Sequence, residues 1–483
     1  MSDILDKRQF YIDGKWVDPK AANDLEVIDP STEEPVAVIS LGGQADTDAA
    51  VAAAKRAFPD WSATSPEDRL GYAEKILDVY QKRADDMAWA ITHEMGAPAD
   101  MSAESQVMAG VGHTKNFIRA FRDFEFVRPL GPHAPTTMIS WEPVGVVGLI
   151  TPWNWPMNQV TLKVIPALLA GNTIVLKPSE IAPLSSMLFT EIMDEAGVPA
   201  GVFNMVNGDG EGVGSQLSVH PDVDMISFTG STRAGIAITK AAADSMKKVA
   251  LELGGKGANV IFADADDKAV VRGARHCFNN SGQSCNAPTR MLVQREIYDQ
   301  AVETAKEVAE KTRVASGHDS GRHIGPVVSK KQWDQIQGLI EKGIEEGARL
   351  VAGGPGLPEG VNRGYFVRPT VFADVTNDMT IAQQEIFGPV LSIIPFENEE
   401  DAVRIANDTE YGLTNYVQTQ DGAKRNRMAR KLRSGMVEMN GESRGPGAFF
   451  GGVGRSGRAR EGGIWGIEEF MDSKAISGWD PEA

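Results

Sequence analysis

Between Val144 and Ile261 the chain alternates short β-branched runs with longer apolar or amphipathic stretches, and this alternation constrains the fold more than any other feature. Strands are expected at Val144 to Ile150, Asn172 to Leu176, Val202 to Val206, Met225 to Phe228 and Val249 to Leu253. Helices are expected between them at Met157 to Leu169, Leu184 to Ala196 and Arg233 to Ala243. Parallel strands cannot be joined by a tight turn and need a crossover, commonly a helix, so each strand, helix, strand unit predicts a parallel pair. Repeated, the unit predicts a doubly wound, Rossmann-like α/β sheet with helices on both faces, an architecture that binds nucleotides. Upstream, Asp46 to Glu94 is helical by the recurrence of Ala50, Val51, Ala54 and Phe58, then Leu70, Ala73, Ile76, Leu77 and Tyr80, at three and four.

A second α/β region runs from about Gly255 to Met439, with strands near Ala258 to Ile261 and Arg290 to Val293 and helices near Tyr298 to Thr312 and Lys331 to Glu346. A chain of 483 residues exceeds one ordinary core, so more than one domain is expected. Residues 1–121 and 142–254 form the first, with 440–469 returning to it, and 255–439 form the second. The formal charge of -18 argues against nucleic acid, whose phosphates require a basic patch. No apolar run reaches the roughly 20 residues of a membrane span, since Val164 to Leu176 is broken by Pro166, Gly171 and Asn172. Met1 to Phe10 mixes Asp and Lys and does not read as a secretory signal. Two cysteines give no disulfide framework, and a reducing cytoplasm is the expected compartment.

Five segments are candidates to carry chemistry. Cys285 follows the small, turn-forming run Asn279 to Ser284 and has no cysteine partner nearby; it is either a small buried hydrophobe or a nucleophile. Glu252 closes an apolar run ahead of Gly254 and Gly255, where partial desolvation raises a carboxyl pKa toward that of a general base; otherwise it points into solvent. Asn154 sits between Pro152 and Pro156 directly after a strand, so a rigid turn offers an amide donor to an oxyanion, unless it only caps the next helix. Gly230 and Ser231 follow a strand and open a helix, where backbone N–H groups and the helix N-terminus suit a diphosphate; the alternative for Ser231 is an ordinary N-cap. Lys177 and Glu180 end another strand, where a carboxylate can accept from ribose hydroxyls and repel a 2′-phosphate.

Six motifs occur in order: Thr151 to Pro156 (TPWNWP), Lys177 to Glu180 (KPSE), Phe228 to Ser231 (FTGS), Leu251 to Gly255 (LELGG), Gly282 to Cys285 (GQSC) and Glu385 to Pro389 (EIFGP). On these the chain resembles the NAD(P)-dependent aldehyde dehydrogenase superfamily, from near Phe10 to near Ile476. The resemblance implies oxidation of an aldehyde to its acid through a thiohemiacetal and thioester on Cys285. Asn154 would hold the oxyanion, Glu252 would activate water, and Lys163 and Glu461 would support the site and relay protons. It implies NAD, with NADP as the alternative cofactor, at Trp153, Lys177, Ser179, Glu180, Gly230, Ser231, Leu253, Glu385 and Phe387, and no metal. The active site would lie in a cleft between the two domains. Residues 122–141 and 470–483 resemble an oligomerisation arm, implying a homodimer or homotetramer.

Acyl transfer to coenzyme A, ester hydrolysis by the same thiol and a non-catalytic nucleotide-binding protein are the alternatives. A carboxylate at Glu252 favours hydrolysis. Where fatty-aldehyde members of the resembled family often carry aromatics near the nucleophile, this chain has Asn279, Gln159 and Leu162, and its loop from Gly441 to Gly447 lacks the aromatic common there. Either a polar, acid-bearing aldehyde binds there, or Arg444 pairs with Glu442 while Trp155 and Phe449 build an apolar wall.

Overall fold

The computed structural model describes residues 4–480. Its first large sheet has seven strands in the order Lys248–Glu252, Met225–Thr229, Val146–Ile150, Thr173–Lys177, Phe203–Met205, Phe10–Ile12 and Lys15–Val17. The first five are parallel; the hairpin of Phe10–Ile12 and Lys15–Val17 adds antiparallel to the edge. The expected strands and helices all form, within about two residues of their expected ends. The first strand begins at Val146 rather than Val144 because Gly145 holds φ at +138°, outside the extended range of L-residues.

The helix Pro156–Ala170 is apolar on nearly all sides and buried between this sheet and its neighbouring helices. Proline at its first position and Gly171 in the left-handed conformation at its end fix its limits. This is the helix that carries Lys163 into the interior.

The chain winds outward from Val146–Ile150 through Thr173–Lys177 to Phe203–Met205, then crosses back to Met225–Thr229 on the other side. The switch point therefore falls between Val146–Ile150 and Met225–Thr229, where the two following loops diverge and open a crevice at the carboxyl ends of the strands. Those loops are TPWNWP and the turn at Gly230 and Ser231.

A second seven-stranded sheet runs Arg349–Ala352, Thr370–Ala373, Val390–Phe396, Arg290–Gln294, Ala258–Ile261, Thr414–Gln418 and Met436–Met439, parallel except for the first pair. LELGG, GQSC and EIFGP lie just ahead of its strands Ala258–Ile261, Arg290–Gln294 and Val390–Phe396. The carboxyl ends of one sheet thus meet the amino ends of the other.

Two smaller sheets complete the chain. Leu5–Asp6, Glu34–Ser40 and Asp24–Asp29 form one, which the sequence pattern did not signal because its strands carry many polar residues. Val127–Pro129, Thr137–Pro143 and Met471–Ser477 form the other, where seven residues of the last strand pair antiparallel to Thr137–Pro143. This sheet extends past the expected boundary at 141, and residues 481–483 lie outside the described residues.

Candidate active site

The loop that carries Cys285 has an uncommon backbone. Asn280, Ser281 and Gly282 stand in succession at φ of +52°, +56° and +74°. Asn tolerates this region and Gly favours it, but for Ser it is strained and must be held by surrounding contacts. Those contacts are present. Ser281 Oγ donates to the Gly325 carbonyl at 2.7 Å, and Asn280 Nδ2 donates to the Asn154 carbonyl at 2.9 Å. Gln283 accepts the Val328 N–H at 2.9 Å on Oε1 and donates to the Asn280 carbonyl at 3.2 Å. A Cβ on Gly282 would stand 2.1 Å from the Gly388 backbone, so only glycine lets the loop pack there.

Two further bonds tie this loop to the switch-point turn. Asn154 Nδ2 donates to the Gln283 carbonyl at 3.0 Å, and Trp155 Nε1 donates to Ser284 Oγ at 2.8 Å. One Asn154 N–H is thereby committed, and its second remains for a ligand.

Cys285 lies on the wall between two cavities, and Gln159 also borders both. One, of about 230 Å³, is lined by Trp153, Asn154, Thr229, Gly230, Ser231, Leu253, Glu385 and Phe387. The other, of about 300 Å³, is lined on its apolar side by Phe117, Trp155, Leu162 and Phe450, and on its polar side by His113, Asn116, Asn158, Asn286, Arg444 and Glu461. A molecule in each would meet at the thiol.

The first cavity fits a dinucleotide end. The Thr229 hydroxyl is buried there without a partner; Ser231 accepts the Ala234 N–H as an N-cap and the Gly230 N–H is given to the Glu252 carbonyl at 3.0 Å, which leaves the N–H groups between them, at the helix N-terminus, for a ligand. Glu385 accepts the Gly255 N–H at 2.9 Å, and burial pushes its carboxyl up to about 7. Phe387, at φ +57°, meets Trp153 edge-on at 5.4 Å. Gln332 holds the Phe387 carbonyl at 3.0 Å, and with Gln335 it lines the same cavity. The two glutamines, three apart on the helix Lys330–Glu345, were absent from the expected set; their only sequence signal is that spacing. Lys177, Ser179 and Glu180 line neither cavity. Lys177 donates to the Gly208 carbonyl and pairs with Glu180 at 3.3 Å.

Behind the thiol three charged groups are buried together. Lys163 forms an ion pair with Glu461, and Glu252 stands near them with both carboxylate oxygens unpartnered. Burial, then the Glu461 charge, hold the Glu252 carboxyl well above the usual carboxylate range, while Lys163 pulls the other way. Glu252 borders neither cavity. Its side chain is turned toward Gly451, where an added Cβ would come within 3.1 Å of Oε1.

Three expectations about the second cavity change. Arg444 pairs with Glu438 at 3.1 Å rather than with Glu442, and stacks on Phe450. Phe449 turns away to pack on Trp465, so Phe450 builds the wall instead. Asn279 is exposed and borders neither cavity.

A model of the aldehyde dehydrogenase family matches residues 16–476. The chain belongs to that family. It is 49% identical over 479 residues to a 3-succinoylsemialdehyde-pyridine dehydrogenase of a Pseudomonas species, covering 99% of this chain and all of the relative. A crystal structure of an aldehyde dehydrogenase from Bartonella henselae superposes with a TM-score of 0.98 at 64% identity, covering 99% of this chain and 100% of that one. A mutant aldehyde dehydrogenase C from Pseudomonas syringae, in complex with NAD+ and octanal, superposes with a TM-score of 0.96 at 44% identity, covering 99% and 98%. Aldehyde oxidation is the reaction class of this family member.

Burial, reinforced by Glu385, Glu252 and Glu461, holds the Cys285 thiol above its ordinary range. A raised thiol pKa means less thiolate at neutral pH. In the ligand-free protein, alkylation of Cys285 by iodoacetamide at pH 7 is therefore slower than that of free cysteine and rises about tenfold per pH unit through pH 9. A plateau below pH 8, read by peptide mass spectrometry, contradicts this. Cys277, buried and pushed up to about 12, stays unmodified throughout.

Proposed function

We propose that Cys285 is the nucleophile of an NAD-dependent, hydrolytic aldehyde dehydrogenase, a reading carried by its position between the two cavities. An aldehyde enters by the cavity bearing Phe117 and Phe450. Cys285, as thiolate once its proton has passed to solvent water, attacks the carbonyl carbon through Sγ; the C=O π pair moves to oxygen, and that oxyanion is held by the free Asn154 N–H and the Cys285 backbone N–H. NAD+ in the opposite cavity supplies the two-electron acceptor. Residues Trp153, Gly230, Ser231, Leu253, Glu385 and Phe387 would hold its nicotinamide half, and Lys177, Ser179 and Glu180 its adenosine ribose.

Lys177 has its charge engaged by Glu180 and the Gly208 carbonyl. It is therefore poorly placed to compensate a 2′-phosphate, which favours NAD over NADP. The acyl group left on Cys285 is a thioester, and Glu252 takes a proton from the water that cleaves it. A carboxyl whose proton affinity burial has raised is a stronger base toward water than an exposed one. The conformation described requires the Glu252 side chain to rotate toward the thiol. Lys163 and Glu461 would then pass the proton onward, Glu461 being the member of the pair that borders the aldehyde cavity. Both cysteines are free, in keeping with a reducing compartment such as the cytoplasm.

The reaction tests as reduced cofactor formed from NAD+ and aldehyde without coenzyme A. Glu252→Gln is expected to lower steady-state turnover by about 100-fold or more. A strict requirement for coenzyme A would favour the acyl-transfer alternative.

We assign the aldehyde cavity to neutral, polar aldehydes rather than acid-bearing ones. Glu438 balances Arg444, Lys163 balances Glu461, and burial keeps His113 in its neutral form beside Asn158 at 2.7 Å. No uncompensated cation is left for a carboxylate, while the unused Arg444 N–H groups can still donate to a ketone or ring nitrogen. Neutral keto- or heteroaryl aldehydes should therefore exceed carboxylate-bearing aldehydes of equal length by about tenfold in kcat/KM. The reverse order overturns the assignment.

The sheet of Val127–Pro129, Thr137–Pro143 and Met471–Ser477 is proposed as the arm that pairs subunits, since Val127, Leu130 and Trp479 expose apolar surface along it. Light scattering should give a dimer or tetramer. A monomer at micromolar concentration contradicts the proposal.

A further inference from the structure

Away from the thiol, three potential metal ligands converge where distant parts of the chain meet. Asp29 ends the strand Asp24–Asp29, His93 lies in the last turn of the helix Ala84–Met95, and His318 stands on the connection between Lys311 and Lys330. One ligand atom from each lies within 4.8 Å of the other two.

Two of the three side chains, His93 and Asp29, are held as ligands would be. His93 Nδ1 stands 2.8 Å from the Trp89 carbonyl, which can only accept, so Nδ1 carries the proton and Nε2 the lone pair. A ring N–H given to a backbone carbonyl is the usual device for orienting a metal-bound imidazole. Stacking on Trp89 at 4.1 Å fixes the ring further. Asp29 is buried; its Oδ1 accepts the Ser31 N–H at 2.8 Å, while Oδ2 faces His318 Nε2 at 2.7 Å. The two imidazoles lie 4.5 Å apart.

We propose that Asp29, His93 and His318 bind one divalent zinc-class cation, with water completing the coordination. Two imidazoles and a carboxylate suit zinc better than magnesium or calcium, which prefer all-oxygen shells. Ligands on a tetrahedral zinc stand about 3.4 Å apart, so the His318 to Asp29 contact opens slightly and the wider separation closes, within reach of the exposed His318 side chain.

The site would act as a staple. The His318 segment already docks through Gly317 N–H to Ser31 Oγ at 3.0 Å, and further along, Gly325 and Val328 receive the nucleophile loop. The cation would therefore stabilise the fold without entering the reaction.

Metal-free protein titrated with Zn2+ should take up one ion per chain with a rise of several degrees in the thermal midpoint. Co2+ should give visible ligand-field bands without the near-ultraviolet band of a thiolate ligand. His93→Gln and His318→Asn should each weaken binding at least about tenfold and abolish the thermal shift. Their unchanged aldehyde oxidation reports an intact fold. A cobalt–thiolate band, equal uptake by both variants, or no uptake by the wild type would overturn the site.

Discussion

Everything the proposed chemistry requires depends on the hydrogen bonds that cross from the switch-point turn to the nucleophile loop. Asn154 reaches Gln283, Asn280 reaches back to Asn154, and Trp155 reaches Ser284. These bonds join the carboxyl ends of one sheet to the amino ends of the other. They also offset the strain of the left-handed turn at Asn280 and Ser281, roughly 1–3 kcal/mol per strained residue. Buried hydrogen bonds of this kind contribute about 1 kcal/mol each when made and cost more when broken, so the turn is rigid as long as the network is whole. That rigidity sets the thiol at the boundary of two cavities.

Burial has a second consequence, which is electrostatic. Desolvation, then the charges of Glu385, Glu252 and Glu461, suppress the ionisation of Cys285. The same burial raises the carboxyl pKa of Glu252 and leaves its oxygens without partners. A group so placed costs stability in exchange for a raised proton affinity. Lys163 limits the cost by pairing with Glu461, and the triad stays close to charge balance only when one carboxyl is protonated.

Much of this was legible in the sequence because the central strands are buried on both faces. Runs such as Val146 to Ile150 and Thr173 to Leu176 had to be apolar or β-branched nearly throughout, and their ends, marked by Gly and Pro, are where the motifs fall. Asn154 and Gly230 were readable for that reason, as residues just past strand ends, and Cys285 from the small, turn-forming run that precedes it. The small N-terminal sheet was not, since its strands alternate exposed and buried positions over only a few residues. Side-chain direction was also hidden. Nothing in LELGG says that Glu252 turns toward Gly451, nor does the loop after Asn440 say that Arg444 will choose Glu438 over Glu442. Both outcomes depend on which neighbours three-dimensional packing supplies. Gln332 and Gln335 escaped notice because glutamine on an amphipathic helix ordinarily faces water.

The central claim is that the acyl group rests on Cys285 until Glu252 releases it. Intact-mass and peptide mass spectrometry of the Glu252→Gln protein, acid-quenched within its first turnovers with NAD+ and aldehyde, tests it directly. The account predicts one acyl adduct per chain on the peptide bearing Cys285, absent when NAD+ is omitted. An unmodified Cys285 alongside continued acid production, or an adduct on another residue, would contradict it.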